Sequence, residues 1–162
     1  QGAGGGGCAV AMALLGFERG ASTLGQQMHF TQELELVIQL ARDNGAARDP
    51  HLRGRIAQAW AGLRVLRYNA LRMLSGPQDG VLRPEALMYK YGWSNWHRDL
   101  GRLALDVMGV DGDVRDQPLR VRLLQQSALY ARSDTIYAGS NEIQLNQIAE
   151  RALGMPRAAR PR

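Results

Sequence analysis

The apolar residues of this chain recur at alternating intervals of four and three, and Gly, Pro and Asn punctuate the runs. That rhythm marks one face of a 3.6-residue helix, and it is incompatible with the strict alternation of half-buried strands. In the first run Val10, Leu14, Phe17, Ala21, Leu24 and Met28 form a stripe, which continues through Leu36, Ile38 and Leu40 to a stop at Asn44-Gly45. Asp49-Pro50 opens a second helix whose apolar face is Ile56, Trp60, Leu63, Leu66, Ala70 and Leu74, ending at Gly76-Pro77. A third begins around Pro84, carries Tyr89, Trp93, Trp96, Leu100, Leu103 and Val107, and closes at Gly109. Beyond a polar loop from Val110 to Pro118, a fourth carries Leu119, Leu123, Leu124, Ala128 and Leu129. The last turns Leu145, Ile148, Ala149 and Ala152 inward and stops at Gly154 and Pro156. The pattern predicts an all-α fold, an up-and-down four-helix bundle with an extra C-terminal helix, over residues 8–157. Residues 1–7 read as a glycine-rich linker or frayed start and 158–162 as a disordered tail.

A chain of 162 residues is long enough for one domain with a real core. The single cysteine, Cys8, cannot form an internal disulfide, so the expected setting is a reducing one and the working address is the cytoplasm. No apolar run approaches the roughly 20 residues that cross a bilayer, so no membrane span is expected. The net charge of +5 invites a nucleic-acid reading, but Arg53, Arg55, Arg64, Arg67 and Arg72 are spread along a helix and no binding motif accompanies them. Nucleic acid is therefore not an expected partner. Helical bundles often hold metals through Glu-x-x-His pairs, and none of His29, His51 or His97 has a Glu three residues before it. The expectation is no metal, with the histidines structural or solvent-exposed.

Two places carry candidate chemistry. The first is the connection Asp134-Thr135-Ile136-Tyr137-Ala138-Gly139-Ser140-Asn141-Glu142-Ile143. Gly139 can take backbone angles closed to other residues, Ser140 or Asn141 can cap the helix that follows, and Glu142 lies where a helix dipole favours negative charge. The second is Glu18, on the shoulder of the first apolar stripe in a row with Ala11, Leu15, Ser22 and Gly25. A carboxylate half-withdrawn from water has a raised pKa and is a better base near neutrality. The alternative is a solvated Glu beside Arg19.

From Thr135 to Arg157 the chain resembles the C-terminal signature of flavin-dependent acyl-CoA dehydrogenases, T-I-Y-x-G-[TS]-x-E-I-Q-x-N-x-I-A-E-R-x-L-G-x-P-R. A weaker resemblance covers Leu14-Leu15-Gly16-Phe17-Glu18-Arg19-Gly20. The resemblance implies an FAD enzyme that removes the α-proton of an acyl-CoA with a glutamate base while a β-hydride passes to the flavin. It also implies fatty-acid β-oxidation chemistry, reoxidation by an electron-transfer flavoprotein, and a homotetramer or a heteromer. Many members carry the base in the signature loop, where this chain has Ala138. A minority, similar to isovaleryl- and long-chain-type enzymes, carry it on the first helix in a Leu-x-x-Glu-Arg context, which Glu18 and Arg19 match. By the same resemblance the Ala138 N–H polarises the thioester carbonyl, Tyr137 and Gly139 line the acyl-CoA site, Ser140 and Glu142 bind FAD, and Arg19 orients the substrate or the flavin-side loop.

The chain departs from the family in two segments. Where members reach a neighbouring subunit's FAD through R-x-x-F-G, it has Ala41-Arg42-Asp43-Asn44-Gly45, and for Q-x-x-G-G it has Asp106-Val107-Met108-Gly109-Val110. Arg42 and Gly109 remain as candidate cofactor contacts, while Asp106 is expected to repel a pyrophosphate. Family members also have N-terminal and middle domains without counterpart here. The expectations are thus a dehydrogenase domain with Glu18 as base, or a non-catalytic helical subunit or oligomerisation module of a heteromeric dehydrogenase.

Overall fold

A computed structural model describes residues 7–75 and 84–157, with side chains at Thr23 and from residue 25 onward. Its α-helices are α1 (Gly7–Asp43), α2 (Pro50–Ser75), α3 (Pro84–Met108), α4 (Leu119–Tyr130) and α5 (Asn141–Gln147), and no strand occurs among the described residues. The side chains of Val10, Leu14, Phe17, Ala21 and Leu24, the stop at Gly76-Pro77, and the two chain ends lie outside the described residues.

Helix directions follow from which residues meet. On α1 and α3, Gln27 bonds Tyr89, Glu33 bonds His97 and Asn44 bonds Val107, so the two helices run parallel. Against α3, α2 pairs Asn69 with Glu85 and Arg55 with Asp106, which makes it antiparallel. Arg120, at the start of α4, pairs with Asp43 at the end of α1. The result is up, down, up, down, with α5 laid across one end of α3. The central helix is α3, which touches the other four.

Centrality explains composition. On α3 Leu87, Tyr89, Trp93, Leu100, Leu103, Ala104 and Val107 are all buried, and the four-three rhythm there reads correctly. On α1 the buried stripe is Gln27, Phe30, Leu34, Val37 and Ala41, and Met28 is 66% exposed. Gln27 replaces Met28 on the inner face, where its amide donates to the Tyr89 hydroxyl at 3.0 Å, while Leu36, Ile38 and Leu40 are half-buried at the edge of the stripe. On α2 Leu63, Leu66 and Ala70 are buried as expected, but Trp60 lies on the surface beneath the Arg64 guanidinium. On α4 the core row is Val121, Leu124, Ala128 and Ala131, leaving Leu119, Leu123 and Leu129 outside. The last helix departs most. Its buried side chains are Asn141 and Gln144, Leu145 is exposed, and from Ile148 to Ala152 the helix widens into a π turn closed by Leu153 N–H on the Ile148 carbonyl at 3.1 Å.

Close approach of helices needs glycine at one position in particular. A Cβ on Gly101 would meet the Ala128 backbone at 3.0 Å, whereas a Cβ on Gly54, on the outer side of α2, would meet nothing within 4 Å. Gly101→Ala should therefore destabilise by about 1–3 kcal/mol, because overpacking forces α4 away from α3. Gly54→Ala should stabilise by about 0.5–1 kcal/mol through helix propensity. Urea unfolding of the two variants checks the sign of each change.

Candidate functional site

The site is built where the Asp134–Glu142 connection crosses the first half of α3. A 3-10 turn, Ser133–Thr135, follows α4 and turns the chain back. Ala138 then adopts φ 53 and Gly139 φ 91. Both lie in the left-handed region, which glycine enters freely and alanine only at a cost of roughly 1–2 kcal/mol. The strain at Ala138 is held by neighbours. Gln144 Nε2 donates to the Ala138 carbonyl at 3.3 Å, and Lys90 Nζ donates to the carbonyls of Asp134 at 2.7 Å and Gly139 at 3.0 Å. Among the described residues the Ala138 N–H has no acceptor.

Beneath this loop lies a buried polar chain that the sequence reading did not foresee. His97 is 4% exposed and Asp134 is 1% exposed. His97 Nδ1 stands 2.5 Å from Asp134 Oδ2, and Nε2 stands 2.7 Å from Glu33 Oε2. The other Asp134 oxygen accepts the Tyr137 hydroxyl at 2.8 Å. Phe30 covers the imidazole face, with centroids 4.8 Å apart. Burial alone would push the His97 pKa down, but the hydrogen bonds and charges of Asp134 and Glu33 outweigh it and raise the value to about 9. Burial, then the Asp134 carboxylate, push the Tyr137 phenol up. Lys90 is pulled down by burial, against the charges of Asp134 and Glu142.

The start of α5 is fixed by side chains from α3. Ser94 Oγ donates to Asn141 Oδ1 at 3.0 Å, and Asn141 Nδ2 donates to Asn95 Oδ1 at 3.1 Å. Asn141 is thus turned into the bundle and is not a cap, and the Ser140 side chain makes no cap bond either. Ser140 acts on Glu142 instead. Its hydroxyl, then the Glu142 backbone N–H and Lys90, hold the Glu142 carboxyl below the usual carboxylate range.

Above these residues opens a cleft of about 530 Å³ lined by Tyr91, Asn95, Arg98, Thr135, Ser140 and Glu142, among others. Arg98 Nε is buried there and, among the described residues, has no hydrogen-bond acceptor, the Asp99 carboxylate standing 3.7 Å away. The Arg98 guanidinium, amide and hydroxyl groups, and one surface carboxylate suit a ligand that carries both negative charge and hydroxyls.

Of the candidate residues, Tyr137, Ala138, Gly139, Ser140 and Glu142 are brought together here. Arg42 and Gly109 lie elsewhere, at the ends of α1 and α3. Asn44 Nδ2 donates to the Val107 carbonyl at 2.8 Å, which binds the end of α1 to the end of α3. Ten helical residues separate Val107 from His97, about 15 Å along the axis. Asp106 is paired with Arg55, whose guanidinium donates to that carboxylate at 2.6 Å. The side chains of Glu18 and Arg19 lie outside the described residues. Lys90, His97, Asp134 and Arg98 were missed, though signals existed. Lys90 is the only lysine, and His97 falls between Trp93 and Leu100 on the core stripe. His29 and His51 are exposed, as the default supposed.

Comparison with known proteins bears on this geometry. A family model described as "Acyl-CoA dehydrogenase, C-terminal domain" matches residues 5–153. Acyl-CoA dehydrogenase IpdE1 of Mycobacterium tuberculosis is 49% identical over 160 residues, covering 98% of this chain and 41% of that protein. The protein of the same name from Mycolicibacterium smegmatis is 46% identical over 153 residues, covering 94% and 38%. The chain thus spans about two fifths of the length of the curated relatives it matches. Among solved structures, the Tcur3481-Tcur3483 steroid ACAD superposes with a TM-score of 0.76 at 25% identity, over 89% of this chain and 38% of that one. A variant of the same protein gives 0.81 at 25% identity, over 94% and 41%.

The buried imidazole makes stability depend on pH. The folded His97 pKa of about 9 lies above the ordinary 6.5, so its stabilisation is complete below pH 6.5 and is lost as pH rises through 9. The loss should be on the order of 3 kcal/mol. Urea unfolding at pH 6 and pH 10 should show it in the wild type, and the component should be absent in His97→Gln.

Proposed function

Because this chain belongs to the acyl-CoA dehydrogenase C-terminal domain family, we propose that it is the C-terminal helical domain of an FAD-dependent enzyme that catalyses α,β-dehydrogenation of an acyl-CoA thioester. The observation that carries this reading is the Ala138 peptide. Its side chain cannot accept a proton, its carbonyl is engaged by Gln144, and its N–H has no acceptor among the described residues. The α-proton of a thioester becomes acidic enough for a carboxylate base only when the carbonyl is polarised, and a preorganised backbone donor does this without reorganisation. In this reading the Ala138 N–H donates to the thioester carbonyl and Glu18 removes the α-proton.

The cleft beside the loop fits FAD by its donor set, since Ser140 and Glu142 can engage hydroxyls and Arg98 can neutralise phosphate. FAD, when bound, supplies the acceptor for the β-hydride, and an electron-transfer flavoprotein is the partner that reoxidises the enzyme. Tyr137 and Gly139 line the acyl-CoA side and Arg19 orients the substrate or the flavin-side loop. Arg42 and Gly109 face a neighbouring subunit's cofactor in an oligomer. The Arg55–Asp106 pair makes that end compatible with a pyrophosphate. The names of the solved neighbours support a bulky polycyclic acyl chain as substrate. Among the described residues no helix is long and apolar enough to cross a membrane, and we place the enzyme in the cytoplasm.

A second reading makes the chain part of a non-catalytic helical subunit or oligomerisation module in a heteromer. The paired name of the Tcur3481-Tcur3483 protein favours it. The two readings separate in one experiment on the full-length protein. With FAD and a panel of acyl-CoAs, steroid-derived thioesters included, flavin bleaching should be fast in the wild type. It should fall by at least about 100-fold in Glu18→Gln with FAD still bound. Undiminished bleaching removes Glu18 from the mechanism, and no flavin uptake by the full-length protein supports the second reading.

A further inference from the structure

The loop that presents Tyr137, Ala138 and Gly139 is short, partly exposed and strained at Ala138, so something must hold its backbone in one arrangement. The only side chain that reaches beneath it and also grips another helix, among the described residues, is His97. Both ring nitrogens face carboxylate oxygens, Asp134 at 2.5 Å and Glu33 at 2.7 Å. Against two ionised carboxylates, which only accept hydrogen bonds, both nitrogens would donate and the ring would be an imidazolium.

We infer that His97, as an imidazolium clamped between Glu33 and Asp134, is a positioning residue that fixes the 134–140 loop for the dehydrogenation reaction. This rests on the function proposed above. The clamp acts through two arms that start at Asp134. One Asp134 oxygen holds the imidazolium, and the other takes the Tyr137 hydroxyl and so orients the ring beside Ala138. The Asp134 and Gly139 carbonyls are closed by Lys90, seven residues before His97 on the same face of α3. With Asp134 anchored, the segment from its carbonyl to that of Gly139 is spanned by one ammonium group. The Ala138 N–H lies within that span. Loss of the imidazolium charge would leave a lone pair of His97 against a carboxylate oxygen and release one arm.

The groups facing His97 come from every element packed on it. Glu33 and the Phe30 ring come from α1, the Ser127 hydroxyl from α4 at 3.4 Å from Nε2, and Asp134 from the 3-10 turn. On α3 itself the Trp96 ring stacks beside it and Lys90 stands one carbonyl away. Two carboxylates and two cations thus balance. The raised pKa described above agrees with a clamp that stays closed at neutral pH and opens in the alkaline range.

The experiment is hydrogen exchange with mass-spectrometric readout on the full-length protein, following peptides from the 134–140 loop and from the middle of α2. In His97→Gln the loop should exchange about tenfold faster or more while α2 is unchanged, and Lys90→Met should loosen the same peptide. In the wild type, loop protection corrected for intrinsic exchange should fall between pH 8 and pH 10, and His97→Gln should lack that step. Nitrogen-15 spectra of histidine-labelled wild type supply a check that needs no variant, because one ring should show two protonated nitrogens at pH 7. A neutral ring at pH 7, or unchanged loop exchange in His97→Gln, overturns the inference. Faster exchange at α2 as well as the loop also overturns it, since the role would then be global. Neither readout uses flavin or substrate. A clamp that behaves as described in a protein that never bleaches its flavin would leave the loop-fixing role standing and bring down only the dehydrogenase reading.

Discussion

The arrangement depends on one charged contact buried at the centre of the bundle, the His97 ring held between Glu33 and Asp134. Bringing His97 and Asp134 out of water, with Glu33 half-buried beside them, is costly, and the cost is recovered only if each donor meets an acceptor in good geometry. Here it does, with Tyr137 and Lys90 completing the hydrogen bonds of Asp134. Removing any one partner would leave a buried charge uncompensated. The contact therefore ties α1, α3 and the loop after α4 to one another through directional hydrogen bonds, in addition to the apolar packing of the bundle.

Those bonds bear on what the loop can present. Asn141 is drawn down to Ser94 and Asn95, Gln144 turns back to the Ala138 carbonyl, and Lys90 spans the two ends of the turn. The side-chain bonds to the turn's backbone take up carbonyls, and the Ala138 N–H, like those of Gly139 and Ser140, meets no protein acceptor among the described residues. A strained alanine at such a place is consistent with a backbone donor that has to point one way. The burial of Asn141 and Gln144 at the start of the last helix, with Leu145 outside and Ile148, Ala149 and Ala152 half-buried, belongs to the same logic, because a helix whose start serves a polar turn buries amides.

The other end of the bundle is organised separately. Arg55 neutralises Asp106, Asp43 pairs with Arg120, and Asn44 ties α1 to the Val107 carbonyl. A carboxylate that looks repulsive in the linear sequence becomes half of an ion pair once α2 is laid antiparallel against α3. No periodicity could have revealed this, since the partners are 51 residues apart.

How far the chain could be read without coordinates can be judged residue by residue. Helix number, the boundaries at Pro50, Pro84 and Gly109, and the core stripe of α3 were legible, because α3 is enclosed on several sides and every position at the right spacing is buried. Met28, Trp60, Leu119, Leu123, Leu129 and Leu145 lie outside the expected faces, because each of their helices buries one narrow row and apolar residues beside that row stay exposed. The signature loop reads as a turn, but for His97 the sequence supports only a structural or solvent-exposed role. Its partners, Glu33 and Asp134, lie 64 residues before it and 37 after it. Local propensity and spacing, which act within a few residues, were sufficient to determine a helical bundle with a tight turn before its last helix. Which charges meet in the interior, and hence how that turn is held, was decided by tertiary structure alone, because a buried ion pair exists only after folding has excluded the water between its members.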